Sequence, residues 1–228
     1  MMNQQTSGPA LSYSISMALP AFVLLYELPV RMLLQPDPWL LPAGHWYFSQ
    51  PLRLITEALL LLSLLLITYR YVPFLLQLPR RCFPHLAIGM SVSILLFGTL
   101  EWQQLTESAR APTGRFVMWL LSGFAIGMGQ ELLYRGWLFT ALRARLTYSC
   151  AAGLTTLMFV LAPLHSIRLW DYFLRGEITV VLILVAIYAG VSYAFQWLRD
   201  VSGSALLPAL VHGAGNAITW AAVFTLAL

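Results

Sequence analysis

The chain contains no lysine; all 13 of its basic residues are arginine. Its 228 residues include nine acids, two cysteines and two asparagines. Charged residues make up 10 %, against about 25 % in a soluble domain. That scarcity excludes a soluble globular enzyme, and a disordered chain as well. Cys82 and Cys150 are too few for a disulfide framework, and no CxxC is present, so both read as free thiols. The arginines are scattered, with Arg80 and Arg81 the only adjacent pair. Despite a pI near 9.3, they read as interfacial anchors and topology signals, and no nucleic-acid partner is expected. The first ten residues, MMNQQTSGPA, lack a positive n-region, so no cleaved signal peptide is expected.

What the chain does have is apolar length. Hydrophobic residues make up 59 %, and the mean hydropathy is +0.75. A bilayer span needs about 20 mostly apolar residues. Seven runs qualify, near 10–29, 52–77, 84–101, 115–141, 147–165, 177–198 and 203–227. They are too long and continuous for barrel strands. The expected fold is all-α, a polytopic transmembrane helical bundle of about seven spans. Prolines, glycines and arginines mark the connections at 36–51, 78–84, 107–115 and 199–204. The Pro- and Trp-rich stretch 36–51 is expected at the membrane interface. Counting arginines on the two sides gives about six each, which leaves the orientation open.

An ionisable group inside a span is costly and is a functional candidate by default. Glu131 and Arg135 are four apart in GFAIGMGQELLYRG (123–136), so they share a helix face and can pair. Gly123 and Gly127 extend that row and allow close helix approach. Gln130 lies about 100° round the helix from Glu131. In the last run, His212 and Asn216 are also four apart, beside Gly213, Ala214 and Gly215. His165 ends the fifth run, two residues after Pro163, which is expected to kink the helix and free a backbone carbonyl. Each feature alone also fits a buried pair that fixes packing. Together they make a polar chamber in lipid, with groups to share a water's proton and to donate to a developing oxyanion. That is equipment for peptide hydrolysis. Zinc could use the same His, His and Glu, but no HExxH is present, and the reading adopted needs no metal or cofactor.

Glu27, Glu57 and Glu101 sit near span ends and read as anchors or interhelical hydrogen bonders. Trp46, Trp102, Trp119, Trp170, Trp197 and Trp220 suit an aromatic belt. Tyr134 and Trp137 flank Arg135 and suit core packing, or the lining of a substrate groove.

The chain resembles the CAAX-protease and bacteriocin-processing family, the Rce1-like glutamic intramembrane proteases, in three motifs. EExxxR appears as Gln130-Glu131-Leu-Leu-Tyr-Arg135, FxxxH as Phe159…His165, and HxxxN as His212-Gly-Ala-Gly-Asn216. The segments ELLYRGWLF (131–139) and SGSALLPALVHGAGN (202–216) carry the resemblance most fully. It covers about 115–220 and divides the chain into three N-terminal spans with their interfacial loop (1–114) and a catalytic core of four spans (115–228). It implies an endopeptidase acting on a membrane-embedded or lipidated peptide or protein, in an integral membrane protein of a bacterial inner membrane. A glutamate and His165 would activate water, His212 and Asn216 would hold the oxyanion, and Arg135 would be structural. Two departures stand out. Gln130 occupies the leading glutamate position, so either Glu131 does the chemistry, or the chain is inactive, or glutamine has been put in place of glutamate. Phe159 lies six residues before His165 where the motif has four, and Leu161 takes that slot. The alternatives are a non-catalytic peptide-binding or immunity protein of the same fold, or a transporter. The oligomeric state is not legible.

Overall fold

The computed structural model describes Leu33 and residues 36–48 and 51–226. The run expected near 10–29, with Glu27, lies outside the described residues. The described chain is helical, and its helices are numbered here in order. They are α1 (Leu52–Tyr71), α2 (Phe83–Leu100), α3 (Trp102–Ser108), α4 (Thr113–Glu131), α5 (Phe139–Arg143), α6 (Tyr148–Val160), α7 (Pro163–Leu174), α8 (Ile178–Ser202) and α9 (Leu206–Phe224). A π-helical turn, Leu132–Leu138, joins α4 to α5, so that the whole from Thr113 to Arg143 is one long rod.

Five of these helical segments are long and apolar enough to cross a membrane: α1, α2 with its leading turn, the α4–α5 rod, α8 and α9. The run expected at 147–165 differs from its prediction. It is a bent pair, α6 and α7, turned by 60° at residues 161–162. Counted as one broken span, it brings the described total to six. The physical reason is Pro163, whose missing N–H and fixed φ suit the first position of a new helix rather than the interior of an old one.

Burial is distributed for lipid. The central pair is the α4–α5 rod with α9; 72 % of the rod's most apolar stretch is buried, against 6 % for α2. On α2 and α8, Leu95, Leu100, Leu182 and Ile183 are exposed. An apolar outer face satisfies a chain whose backbone is hydrogen-bonded within its helices. The chain turns from α8 to α9 through Gly203, whose φ of +72° is left-handed.

The small-residue row does what its spacing predicts. A Cβ on Gly123 would collide with the backbone carbonyl of Asn216. One on Gly127 would lie 2.8 Å from the nitrogen of Gly213 and 2.9 Å from the carbonyl carbon of His212. These two glycines thus set the approach of α9, and with it the placement of His212 and Asn216. Gly127→Ala is expected to cost about 1–3 kcal/mol by overpacking. Gly98→Ala, whose Cβ meets nothing within 4 Å, is expected to be neutral. Thermal unfolding in detergent, followed by tryptophan fluorescence, checks both.

The tryptophans divide. Trp102, Trp170 and Trp197 are exposed, as a belt requires, whereas Trp119 and Trp220 are buried. The reason is Arg53, fully buried, with its guanidinium 3.6 Å from the Trp119 ring centre. Arg53 Nη1 donates to Glu57 at 3.1 Å, and the Tyr47 hydroxyl donates to the same oxygen at 2.8 Å. Glu57 is therefore a buried partner of Arg53 on its own helix and of Tyr47 in the preceding turn rather than an interfacial anchor. Cys82 and Cys150 are both free.

Candidate active site

Glu131 is the last residue of α4, and Arg135 lies in the π turn that follows. Both side chains are fully buried, with Arg135 Nη1 donating to Glu131 Oε1 at 3.2 Å. His212, on α9, meets the same oxygen through Nδ1 at 2.8 Å. A carboxylate can only accept, so Nδ1 carries the proton, and a neutral His212 keeps its lone pair on Nε2. The second oxygen, Oε2, is buried with no hydrogen-bond partner among the described residues. Arg135 is held on its other side by α8, where Nη2 donates to the hydroxyl and the carbonyl of Ser192 at 2.7 and 3.1 Å. Ser192 in turn hydrogen-bonds Thr156 of α6 at 2.8 Å. One guanidinium therefore ties together the rod, α6 and α8 behind the carboxylate. A π turn at this place matches the frequent occurrence of such turns at functional sites.

His165 sits in the first turn of α7, just past the bend. The carbonyl of Phe159, four residues before Pro163, loses its i+4 donor to the proline; it accepts from the Ala162 N–H at 3.2 Å and from His165 Nδ1 at 2.6 Å. This is the freed carbonyl that the proline implied. It assigns the tautomer: Nδ1–H donates, and Nε2 keeps a lone pair. Tyr188 of α8 stacks on the ring with centroids 4.1 Å apart.

Phe159 is the hub. Its ring is 4.8 Å from His165, 6.4 Å from His212 and 5.4 Å from Tyr134, and the Arg135 guanidinium lies 4.4 Å over it. Phe159 is buried, whereas Leu161, which occupies the four-residue slot, is 58 % exposed. The 60° bend between α6 and α7 brings the residue six positions away into the packing role. Spacing alone missed this, because the kink expected at Pro163 does not by itself say how far the chain turns.

Asn216 lies one turn beyond His212 on α9. Both line a cavity of about 380 Å³ between α2, α8 and α9, whose other walls include Val92, Phe97, Phe195 and Trp197. Phe195 stacks on His212 with centroids 4.7 Å apart. Gln130 is buried at 4 % exposure. It lies in the last turn of α4, four residues before Tyr134 of the π turn. Tyr134 and Trp137 are buried, and Trp137 Nε1 donates to Thr68 at 2.8 Å. They belong to the packed interior rather than to an open groove.

Glu131, Arg135 and His212 are thus joined directly, His165 reaches them through Phe159, and Asn216 shares a cavity wall with His212. The direct partner of the glutamate is His212, not His165. Among the described residues, no three His, Cys, Asp or Glu side chains are grouped to hold a metal ion.

Comparison with known proteins bears on the same stretch. No curated protein and no solved structure matches the chain. The family model for Rce1-like proteins, the type II CAAX prenyl endopeptidases, matches residues 112–218, which include every motif residue described above. The chain is an integral membrane protein, and this segment, just under half of its length, is similar to the Rce1-like family.

Proposed function

We propose that the chain is an intramembrane endopeptidase cleaving a membrane-associated or lipidated peptide segment. The observation that carries this reading is the bond of His212 Nδ1 to the buried Glu131, with His165 held by the Phe159 carbonyl on the other side of the Phe159 ring. His165 Nε2 takes a proton from water, and the hydroxide adds to the peptide carbonyl. With a second proton, His212 becomes an imidazolium paired to Glu131 and donates from Nε2 to the oxyanion, together with the Asn216 amide. His165 then returns its proton to the leaving nitrogen and the C–N bond breaks. Glu131 orients and charges His212, and Arg135 holds Glu131 in place. Gln130 lends an amide to the site but no base. The largely apolar cavity beside His212 and Asn216 would take an apolar part of the substrate.

Helix alternation puts Arg70, Arg80, Arg81, Arg143, Arg145 and Arg199 at one membrane face, with Asp200 as the acid among them. Arg53, Arg110, Arg115, Arg168 and Arg175 lie toward the opposite face, so the arginine count leaves the orientation open in a bacterial inner membrane. His212 lies six residues into α9 from the face that carries Arg199, about 9 Å down, so the substrate bond enters from that face.

The alternative is a peptide binder without turnover, favoured by the glutamine at position 130. A comparison of protein termini in host membranes decides between them. New termini are expected with this chain or with Gln130→Glu, and are expected to vanish in His165→Ala. Unchanged termini in every strain, with the candidate substrate expressed, would leave only the binder.

A further inference from the structure

The loop before α1 lies outside the Rce1-like match, yet the structure ties it to His165. Asp37 is 3 % exposed. One carboxylate oxygen accepts from the backbone N–H of Trp39 at 3.0 Å. Both accept from Arg168 Nη2, at 3.1 and 3.3 Å. Arg168 lies on α7, one turn beyond His165. Its guanidinium is 4.0 Å from the Trp39 ring centre, and its Nη1 donates to the Tyr188 hydroxyl at 3.3 Å. Tyr188 stacks on His165, with the ring planes 19° apart. Loop carboxylate, guanidinium, phenol and imidazole therefore form one continuous series.

Burying a carboxylate is costly unless it is paired and hydrogen-bonded, and Asp37 has both compensations. The series matters because of what His165 needs. Its bond to the Phe159 carbonyl fixes one edge of the ring, and the stack on Tyr188 fixes the plane. Together they aim Nε2. Tyr188 projects from α8 and is half-buried. Arg168 holds its hydroxyl, and Asp37 holds Arg168.

We propose that Asp37, Arg168 and Tyr188 are positioning residues for His165, and that the loop carrying Asp37 is a strap across the far end of the catalytic helices. The catalytic consequence rests on the reading of His165 as the base; the positioning itself does not.

The test uses the full chain in nanodiscs, with Asp37→Asn, Asp37→Glu, Tyr188→Phe and Tyr188→Leu. Each histidine's rate of carbethoxylation by diethyl pyrocarbonate is read by peptide mass spectrometry. His165 labelling is expected to rise about threefold to tenfold in Asp37→Asn and Tyr188→Phe, the weight of one lost hydrogen bond. It rises at least as much in Tyr188→Leu and stays at the original rate in Asp37→Glu, while His212 is unchanged throughout. In whichever background turns over a lipidated peptide, kcat falls by a similar factor and KM stays constant. Unchanged His165 labelling in both Asp37→Asn and Tyr188→Leu overturns the proposal. So does a parallel rise at His45, His85 and His212, which marks general loosening. If no background turns over, the proposed activity fails, and the labelling still decides the positioning.

Discussion

Glu131→Gln is expected to abolish cleavage and to lower the stability of the bundle by about 3–5 kcal/mol. The stability loss comes from Arg135. Its side chain is fully buried, and Glu131 is the carboxylate that pairs with it. A glutamine oxygen can still accept one hydrogen bond, but it leaves the guanidinium charge uncompensated away from water. The loss in rate has a separate cause. Without a carboxylate, His212 has no counter-charge to hold it as the imidazolium and no anion to orient Nδ1–H, so its donation from Nε2 to the oxyanion fails. A fall of about 10²–10⁴ is expected, the usual contribution of a positioned acid–base group. Two measurements separate the causes. Thermal unfolding in detergent reports Arg135, and turnover of a lipidated fluorogenic peptide reports His212. Arg135→Gln is expected to destabilise less, because Glu131 keeps its bond to His212. Equal stability of Glu131→Gln and the original chain would show that the buried pair contributes nothing.

Gln130→Glu is expected to raise turnover by about 10²–10⁴, or to create it where none is seen. Position 130 is buried in the last turn of α4, next to Glu131 and four residues before Tyr134, which packs on Phe159. Glu131 is already occupied by Arg135 and His212 through Oε1. A second carboxylate would therefore be the one left to work with His165 on water. The result is read as the initial rate of the same peptide, with Gln130→Ala as the control. If Gln130→Ala matches the original chain and Gln130→Glu gains nothing, the 130 side chain takes no part, and Glu131 with the two histidines does all the chemistry.

The bundle was legible from the apolar runs, since length and hydropathy set what can cross a bilayer. The Glu131–Arg135 pair was legible from a spacing of four, and the approach of α9 from Gly123 and Gly127. These are properties of one helix face, which the sequence writes directly. The break at residues 161–162 was half legible: Pro163 predicted a kink and a freed carbonyl, but not which side chain would use that carbonyl. Trp119 and Trp220 were misplaced, because hydropathy does not reveal that a buried arginine draws aromatic rings inward.

Sequence alone determined an all-helical membrane protein with one acid, two histidines and an amide in its spans, because periodicity and composition are local. Tertiary structure decided which groups touch. It gave Glu131 to His212 rather than to His165, and put Phe159 rather than Leu161 at the hub. It also joined Asp37 to Tyr188 through Arg168. Each of these contacts spans separate helices or a bend, and its energy depends on distances that only packing sets.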